Sequence, residues 1–238
     1  MIELLAPAGN LEKLKIAILY GADAVFIGGK EFSLRSRASN FTLSDIKEGC
    51  EFAHKHNAKV HVTTNILPHN NNLEGLKEYL IALEKCGVDA IICASLYIIT
   101  TALEYTNLEV HVSTQDSVCN VEAINFYKSL GCKRVVLGRE TTLEELKDIR
   151  SKTDMDIEVF IHGGMCSSYS GRCMLSNEMS NRDANRGGCA HSCRWNYDLI
   201  DGDKKINNGN YFSLASKDLC ALKYIPDFID YNITSLNI

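Results

Sequence analysis

Short β-branched runs, each followed by an amphipathic stretch, recur along most of the chain, and this alternation limits the fold more than any other feature. The runs are Glu3 to Ala6, Ala24 to Ile27, Lys59 to Thr64, Ala90 to Cys93, Glu109 to Ser113, Arg134 to Leu137 and Ile157 to Ile161. Helices are predicted after the first six, over Asn10–Tyr20, Leu43–His56, Leu73–Cys86, Leu96–Tyr105, Val121–Leu130 and Leu143–Lys152. The joints Tyr20-Gly21-Ala22, Cys86-Gly87-Val88 and Leu130-Gly131-Cys132 place glycine where a left-handed cap ends a helix before the next strand. Thr42-Leu43-Ser44-Asp45 marks a helix start, and Thr142 with Glu145 is spaced as a capping box. Such regularity implies right-handed βαβ crossovers and a parallel sheet.

The alternation stops after Ile161, and residues 162–210 are rich in Gly, Ser, Asn, Arg and Cys. A loop this long is usually functional or disordered. Periodicity returns with a helix predicted over Leu219–Ile229 and an apolar run over Ile233–Ile238. Eight strand candidates favour a closed barrel over a doubly wound open sheet, which needs no such number. The expected fold is therefore a single α/β domain over residues 1–238, a (β/α)8 TIM-type barrel with a cysteine-rich insertion (162–210) after the seventh strand and without the last helix. On this reading the natural polypeptide continues beyond residue 238, and the seam after the eighth strand offers room for a second copy in an oligomer.

Hydrophobic residues make up 45 % of the chain and charged residues 23 %, an ordinary globular mixture. A net charge of -5 and a pI near 5.8 supply no global attraction for polyanions, so a nucleic-acid site must be a local basic patch. The N-terminal Met1-Ile2-Glu3-Leu4-Leu5 lacks the pattern of an export signal. The longest uncharged apolar stretch, Ala90 to Leu103, falls short of the roughly 20 residues that span a bilayer. A soluble, cytoplasmic protein without membrane contact is expected.

Ten cysteines in a large periodic chain read as reduced thiols rather than a disulfide scaffold. Cys50, Cys86, Cys93, Cys119 and Cys132 are scattered and expected to be small buried hydrophobes. In the segment after the seventh strand, six residues separate Cys166 from Cys173, fifteen separate Cys173 from Cys189 and three separate Cys189 from Cys193; Cys220 follows on the next predicted helix. Thiolates are soft ligands, and four meeting at one point suit zinc or an iron-sulfur cluster. The spacing matches neither a zinc ribbon nor a ferredoxin, so redox-active and inert thiols remain alternatives.

His162 could pair with Cys166 as base and nucleophile, or close the barrel top as a polar group. His54, His56, His61, His69, His111 and His191 form no sequence pattern and read as surface or core residues. Arg172, Arg182, Arg186 and Arg194 face only Glu178 and Asp183 in the same segment, four positive charges against two negative; arginine forks suit phosphate or carboxylate, and Tyr169 and Trp195 could stack. Arg35, Arg37, Asn65, Ser113, Thr114, Gln115, Arg139 and Glu140 follow strands, where a barrel builds its working face, and suggest a pocket for an anionic small molecule. No phosphate-binding P-loop, zincin or serine-hydrolase motif is present.

The stretches Leu4-Leu5-Ala6-Pro7-Ala8-Gly9, Gly21-Ala22-Asp23-Ala24-Val25-Phe26-Ile27-Gly28-Gly29, His162-Gly163-Gly164-Met165-Cys166-Ser167-Ser168-Tyr169-Ser170-Gly171-Arg172-Cys173 and Asn185-Arg186-Gly187-Gly188-Cys189-Ala190-His191-Ser192-Cys193-Arg194 resemble the collagenase-like peptidase family of unassigned catalytic type, number thirty-two. The resemblance implies an oxygen-independent RNA hydroxylase, with wobble uridine of tRNA the first substrate, since relatives hydroxylate tRNA, ribosomal RNA or quinone precursors. It also implies a [4Fe-4S] cluster on Cys166, Cys173, Cys189 and Cys193, with Cys220 able to replace one, and zinc as the alternative metal. Prephenate is the implied carboxylate cosubstrate. His162, Arg139 and Glu140 are the catalytic candidates, and Arg35, Arg37, Asn65, Gln115 and Arg172 the candidates for binding the cosubstrate. A peptidase on the same barrel face and a metal-stabilised binding module are the competing readings.

Overall fold

The computed structural model of the chain describes residues 2–34, 41–207 and 209–238. Its β-branched runs form parallel strands, with the amphipathic stretches as helices around them: β1 (Glu3–Pro7), α1 (Leu11–Leu19), β2 (Ala24–Gly28), α2 (Leu43–Lys55), β3 (Lys59–Thr63), α3 (Leu76–Lys85), β4 (Ala90–Cys93), α4 (Leu96–Tyr105), β5 (Glu109–Val112), α5 (Val121–Leu130), β6 (Arg134–Val136), α6 (Leu143–Lys152) and β7 (Asp156–Phe160). The chain then passes through β8 (His162–Gly163), α7 (Leu175–Ser180), β9 (Ile200–Asp201), β10 (Lys204–Lys205), β11 (Leu219–Cys220) and α8 (Ile225–Asp230) before returning as β12 (Ser235–Asn237). Because β12 pairs in parallel with both β7 and β1, the sheet closes into the expected eight-stranded barrel.

Local chemistry accounts for several element ends. Thr42 and Thr142 each accept from the backbone three residues on, and Asp45 and Glu145 reach back, so both helix starts are full capping boxes. Gly131 ends α5 with φ of 103°, a left-handed conformation that a side chain would strain.

Two expectations need correction. The helix predicted to begin at Leu73 starts at Leu76, because Gly75 takes a left-handed conformation with φ of 77° just before it. The helix predicted over Leu219–Ile229 is shorter: Leu219 and Cys220 pair antiparallel with Gly163 and His162, and Ala221 donates to the Ile161 carbonyl. Backbone groups that a helix would use are thus committed to β8 and its neighbour, and helix α8 starts only at Ile225, with Pro226 in its first turn, where proline is well suited. Cys220 therefore sits on a strand.

Strand alternation divides the core in two. Outward residues such as Val25, Ile27, Val60, Val62, Ile91, Val110, Val112, Val135 and Ile157 pack beneath the helices. Inward, Leu5, Ala24, Phe26 and Ile92 form a small separate apolar cluster. Several other inward positions, among them Glu3, His61, His111, Arg134, Glu158 and Asn237, are polar, and they lead to the site. Among the described residues no helix is long and apolar enough to cross a membrane.

Candidate functional site

Inside the barrel, Arg134 of β6 is buried between two carboxylates. Its Nη1 donates to Glu3 Oε1 at 2.5 Å and to Glu158 Oε2 at 3.1 Å, and its Nη2 donates to Glu3 Oε2 at 3.3 Å. Ser235 also donates to Glu3, at 2.8 Å, and Asn237 Nδ2 donates to Glu158 Oε1 at 2.6 Å. His61 and His111 complete the layer, both fully buried, with ring centroids 4.8 Å apart in an edge-on contact.

One cation serves two carboxylates, Glu3 half-buried and Glu158 fully buried, and their titrations diverge. Burial alone would raise the Glu3 carboxyl, but the hydrogen bond and charge of Arg134 outweigh it and hold Glu3 below the usual range. Burial prevails at Glu158, which lies above that range despite Arg134 and Asn237. Burial also lowers both histidines, His61 to about 3 and His111 well below the ordinary imidazole value, so both rings are neutral at pH 7.

Above this layer a cavity of about 560 Å³ opens at the C-terminal ends of the strands, where barrels of this type carry their active sites. Glu158 and Asn237 line it together with Thr63, Ser113 and the apolar side chains Phe26, Ile92, Val136 and Phe160. Of the sequence-predicted residues, Asn65, Gln115, Arg139, His162 and Cys189 line the same cavity, as does His191. Arg139 is held by a 3.1 Å bond to Ser170 Oγ and lies 5.2 Å from the Phe160 ring centroid. Glu140 is turned to the loop, accepting from the Ser170 backbone at 3.0 Å. Arg139 and Glu140 also line a smaller cavity of about 190 Å³ with Cys166. Arg172 is exposed and donates to its neighbour's carbonyl at 3.2 Å. Arg35 and Arg37 lie outside the described residues.

Sequence reasoning overlooked Glu3, Arg134, Glu158 and Asn237. The available signal was charge on the inward parity of otherwise apolar strands, which a count of loop residues passes over.

All ten cysteines are free thiols. Cys50, Cys93 and Cys132 are buried as expected, while Cys86 and Cys119 are half-buried. Burial pushes Cys50 up to about 12 and Cys132 to about 11, which makes them inert. Cys166, Cys173, Cys189, Cys193 and Cys220 are exposed or half-buried. Cys220 lies across the ladder from His162, and Cys189 reaches the large cavity. Arg194 is bonded to Asp218 at 3.0 Å, and that bond above all raises its pKa, with smaller contributions from Cys193 and Cys166 nearby. As donors these thiols suit a soft metal. Their positions do not form a closed ligand set: among the described residues, no three Cys, His, Asp or Glu side chains are grouped so as to hold a metal ion.

The sequence pattern of peptidase family U32 matches residues 9–238. The chain belongs to that family. The tRNA hydroxylation protein P1 of Bacillus subtilis (strain 168) is 54 % identical over 99 % of this chain. The chain spans 58 % of that relative's length. The 5-hydroxycytidine synthase of 23S rRNA from Escherichia coli (strain K12) is 38 % identical over 100 % of this chain, which covers 36 % of that relative. A solved U32 peptidase superposes with a TM-score of 0.65 at 12 % identity, covering 100 % of this chain and 92 % of that one, a likeness of fold alone. Among the described residues, no hydrogen bond joins His162 to Cys166 as a nucleophile and base would require.

Proposed function

We propose that this U32 barrel is the substrate-binding part of an RNA hydroxylase, with tRNA as the first substrate to test. The observation that carries this reading is the 54 % identity to a tRNA hydroxylation protein across nearly the whole chain. The mouth cavity supports it, because polar groups converge there below a rim that carries Arg139, His162 and His191. The rim suits a phosphate or a small carboxylate such as prephenate, and Arg139 is the side chain best placed to form a fork with either.

A [4Fe-4S] cluster on four of Cys166, Cys173, Cys189, Cys193 and Cys220 is part of this proposal, with zinc as the alternative. Bound there, a cluster would supply one-electron chemistry beside the cavity. The five free thiols support it chemically, and binding would require the segments that carry them to draw together.

Expression of the chain in a strain lacking its own tRNA hydroxylation protein tests the function, with 5-hydroxyuridine measured in digested tRNA by mass spectrometry. Restored modification is expected, and loss of it in Arg139→Ala. Unmodified tRNA alongside gelatin cleavage by the purified protein would overturn the reading in favour of a peptidase. Anaerobic purification with iron and zinc analysis tests the cluster: about four irons per chain are expected, and one zinc or no metal would refute it.

A further inference from the structure

The mouth cavity has a single arginine and no lysine. Arg139 is that arginine among the described residues that line it, and the carboxylate of Glu158 in the same lining is already bonded by Arg134 and Asn237. Arg134 is paired with Glu3 and Glu158, and Arg194 with Asp218. Among the described residues Arg139 is in no ion pair, and its Nη2 donates instead to a neutral oxygen, Ser170 Oγ, at 3.1 Å. A carboxylate partner would cancel much of the guanidinium's field. A hydroxyl orients the group and leaves its charge for a ligand.

Ser170 lies in the loop between Cys166 and Cys173, yet it is only 2 % exposed, and each of its polar groups is used. Its N–H donates to Glu140 Oε1 at 3.0 Å, and its carbonyl accepts from Ser117 Oγ at 2.5 Å. Its Oγ lies 3.5 Å from Thr114 Oγ1, which itself donates to the Leu137 carbonyl at 3.2 Å. A hydroxyl has one proton and two lone pairs, so Ser170 donates to Thr114 and accepts from Arg139. The donors run in one direction, from Arg139 through Ser170 and Thr114 to Leu137.

The grip comes from two barrel loops. Arg139 and Glu140 follow β6, and Thr114 and Ser117 follow β5. Arg139 also lies against the Phe160 ring, 5.2 Å from its centroid. A long side chain fixed in this way before a ligand arrives has less freedom left to lose on binding.

We propose that Ser170 is the positioning residue of the mouth cavity: its hydroxyl fixes the Arg139 guanidinium without neutralising it, and so raises the cavity's affinity for an anionic group, a phosphate of RNA or a small carboxylate. Ser170 is not among the residues that line the cavity, so it acts through Arg139. This deepens the reading above, in which Arg139 is the anion contact, and rests on it.

The test measures binding of a short labelled single-stranded RNA by fluorescence anisotropy, and of malate by calorimetry, to the full chain. Wild type, Ser170→Ala, Arg139→Ala and the double variant are compared after circular dichroism has checked each for folding. Ser170→Ala should bind about three- to tenfold more weakly than wild type, the scale of one hydrogen bond. In the Arg139→Ala background the same substitution should change binding by less than about twofold, because the group it positions is gone. A serine that only supported the fold would weaken both backgrounds alike; that result would overturn the proposal, as would wild-type affinity in Ser170→Ala. Should Arg139→Ala bind too weakly to measure, Ser170→Thr decides: it keeps the hydroxyl and should recover most of the loss, and failure to recover it in a folded variant counts against the proposal. The RNA reading fails separately. Malate binding with the expected coupling and no RNA binding keeps the positioning role and removes RNA as the ligand, whereas no binding of either probe to wild type overturns the proposal itself.

Discussion

Replacing Arg134 by Met tests the claim that one guanidinium holds the barrel interior together. The side chain is buried, and its removal leaves the carboxylates of Glu3 and Glu158 facing two neutral histidines with no cation between them. Breaking a buried pair from one side costs about 3–5 kcal/mol, because the partner's desolvation is then uncompensated. A chain of this size loses about 2–4 °C of melting temperature per kcal/mol, so a fall of about 6–20 °C is expected. The penalty should depend on pH with a definite sign. Without Arg134 the folded-state pKa of both carboxyls rises, so the folded variant takes up protons that the unfolded chain releases. Its stability is therefore greater at low pH and lost as pH rises past the unfolded carboxylate value. Urea unfolding at pH 7 and pH 5 should show the wild-type minus variant difference shrinking by more than about 1 kcal/mol at the lower pH. The triple variant Glu3→Gln, Arg134→Met, Glu158→Gln should recover most of the loss, since no buried charge remains. A single-variant penalty below about 1 kcal/mol, or one unchanged between the two pH values, would refute the argument.

Protonation of His61 makes a further contribution. Its folded pKa of about 3 lies below the ordinary 6.5, so it stabilises the fold above pH 6.5 and that stability is lost as pH falls toward 3. Between pH 7 and pH 5 this amounts to about 2 kcal/mol, and His61→Gln should flatten the urea-measured profile by that amount. Thr142→Ala removes the capping box of α6 and should cost about 1 kcal/mol in the same assay. Gly171 has φ of 68°, and a Cβ there would overlap the Gln115 backbone carbonyl. Gly171→Ala should therefore displace the Ser170 loop that holds Arg139 and weaken RNA binding, measured by anisotropy, while melting changes by no more than about 6 °C; unchanged RNA affinity would refute that role.

The barrel was legible because its signals are local. Period-2 runs, helix caps and glycine joints each act over a few residues, and the helices Leu96–Tyr105, Val121–Leu130 and Leu143–Lys152 match their expected bounds. Where tertiary pairing competes with periodicity, the reading slipped. Leu219 and Cys220 have the spacing of a helix, but β8 offers their backbone a ladder. At the mouth, residues directly following strands were found from topology alone, which is how Asn65, Gln115, Arg139 and His162 came to share one cavity. The floor lay hidden because its members are far apart in sequence, Glu3 being separated from Arg134 by 131 positions and from Ser235 by 232.

That separation also bears on how the barrel closes. Glu3 on the first strand bonds to Arg134 on the sixth and to Ser235 on the last, so the same carboxylate crosses the interior and spans the final seam. A purely apolar interior would be at least as stable, so stability alone does not explain these charges. Their distinctive effect is directional. Arg134 fixes which way Glu158 accepts, and Glu158 in turn fixes which way Asn237 donates. Apolar replacements could close the barrel equally well, but none would hold a carboxylate and an amide in one fixed orientation at the lining of the cavity.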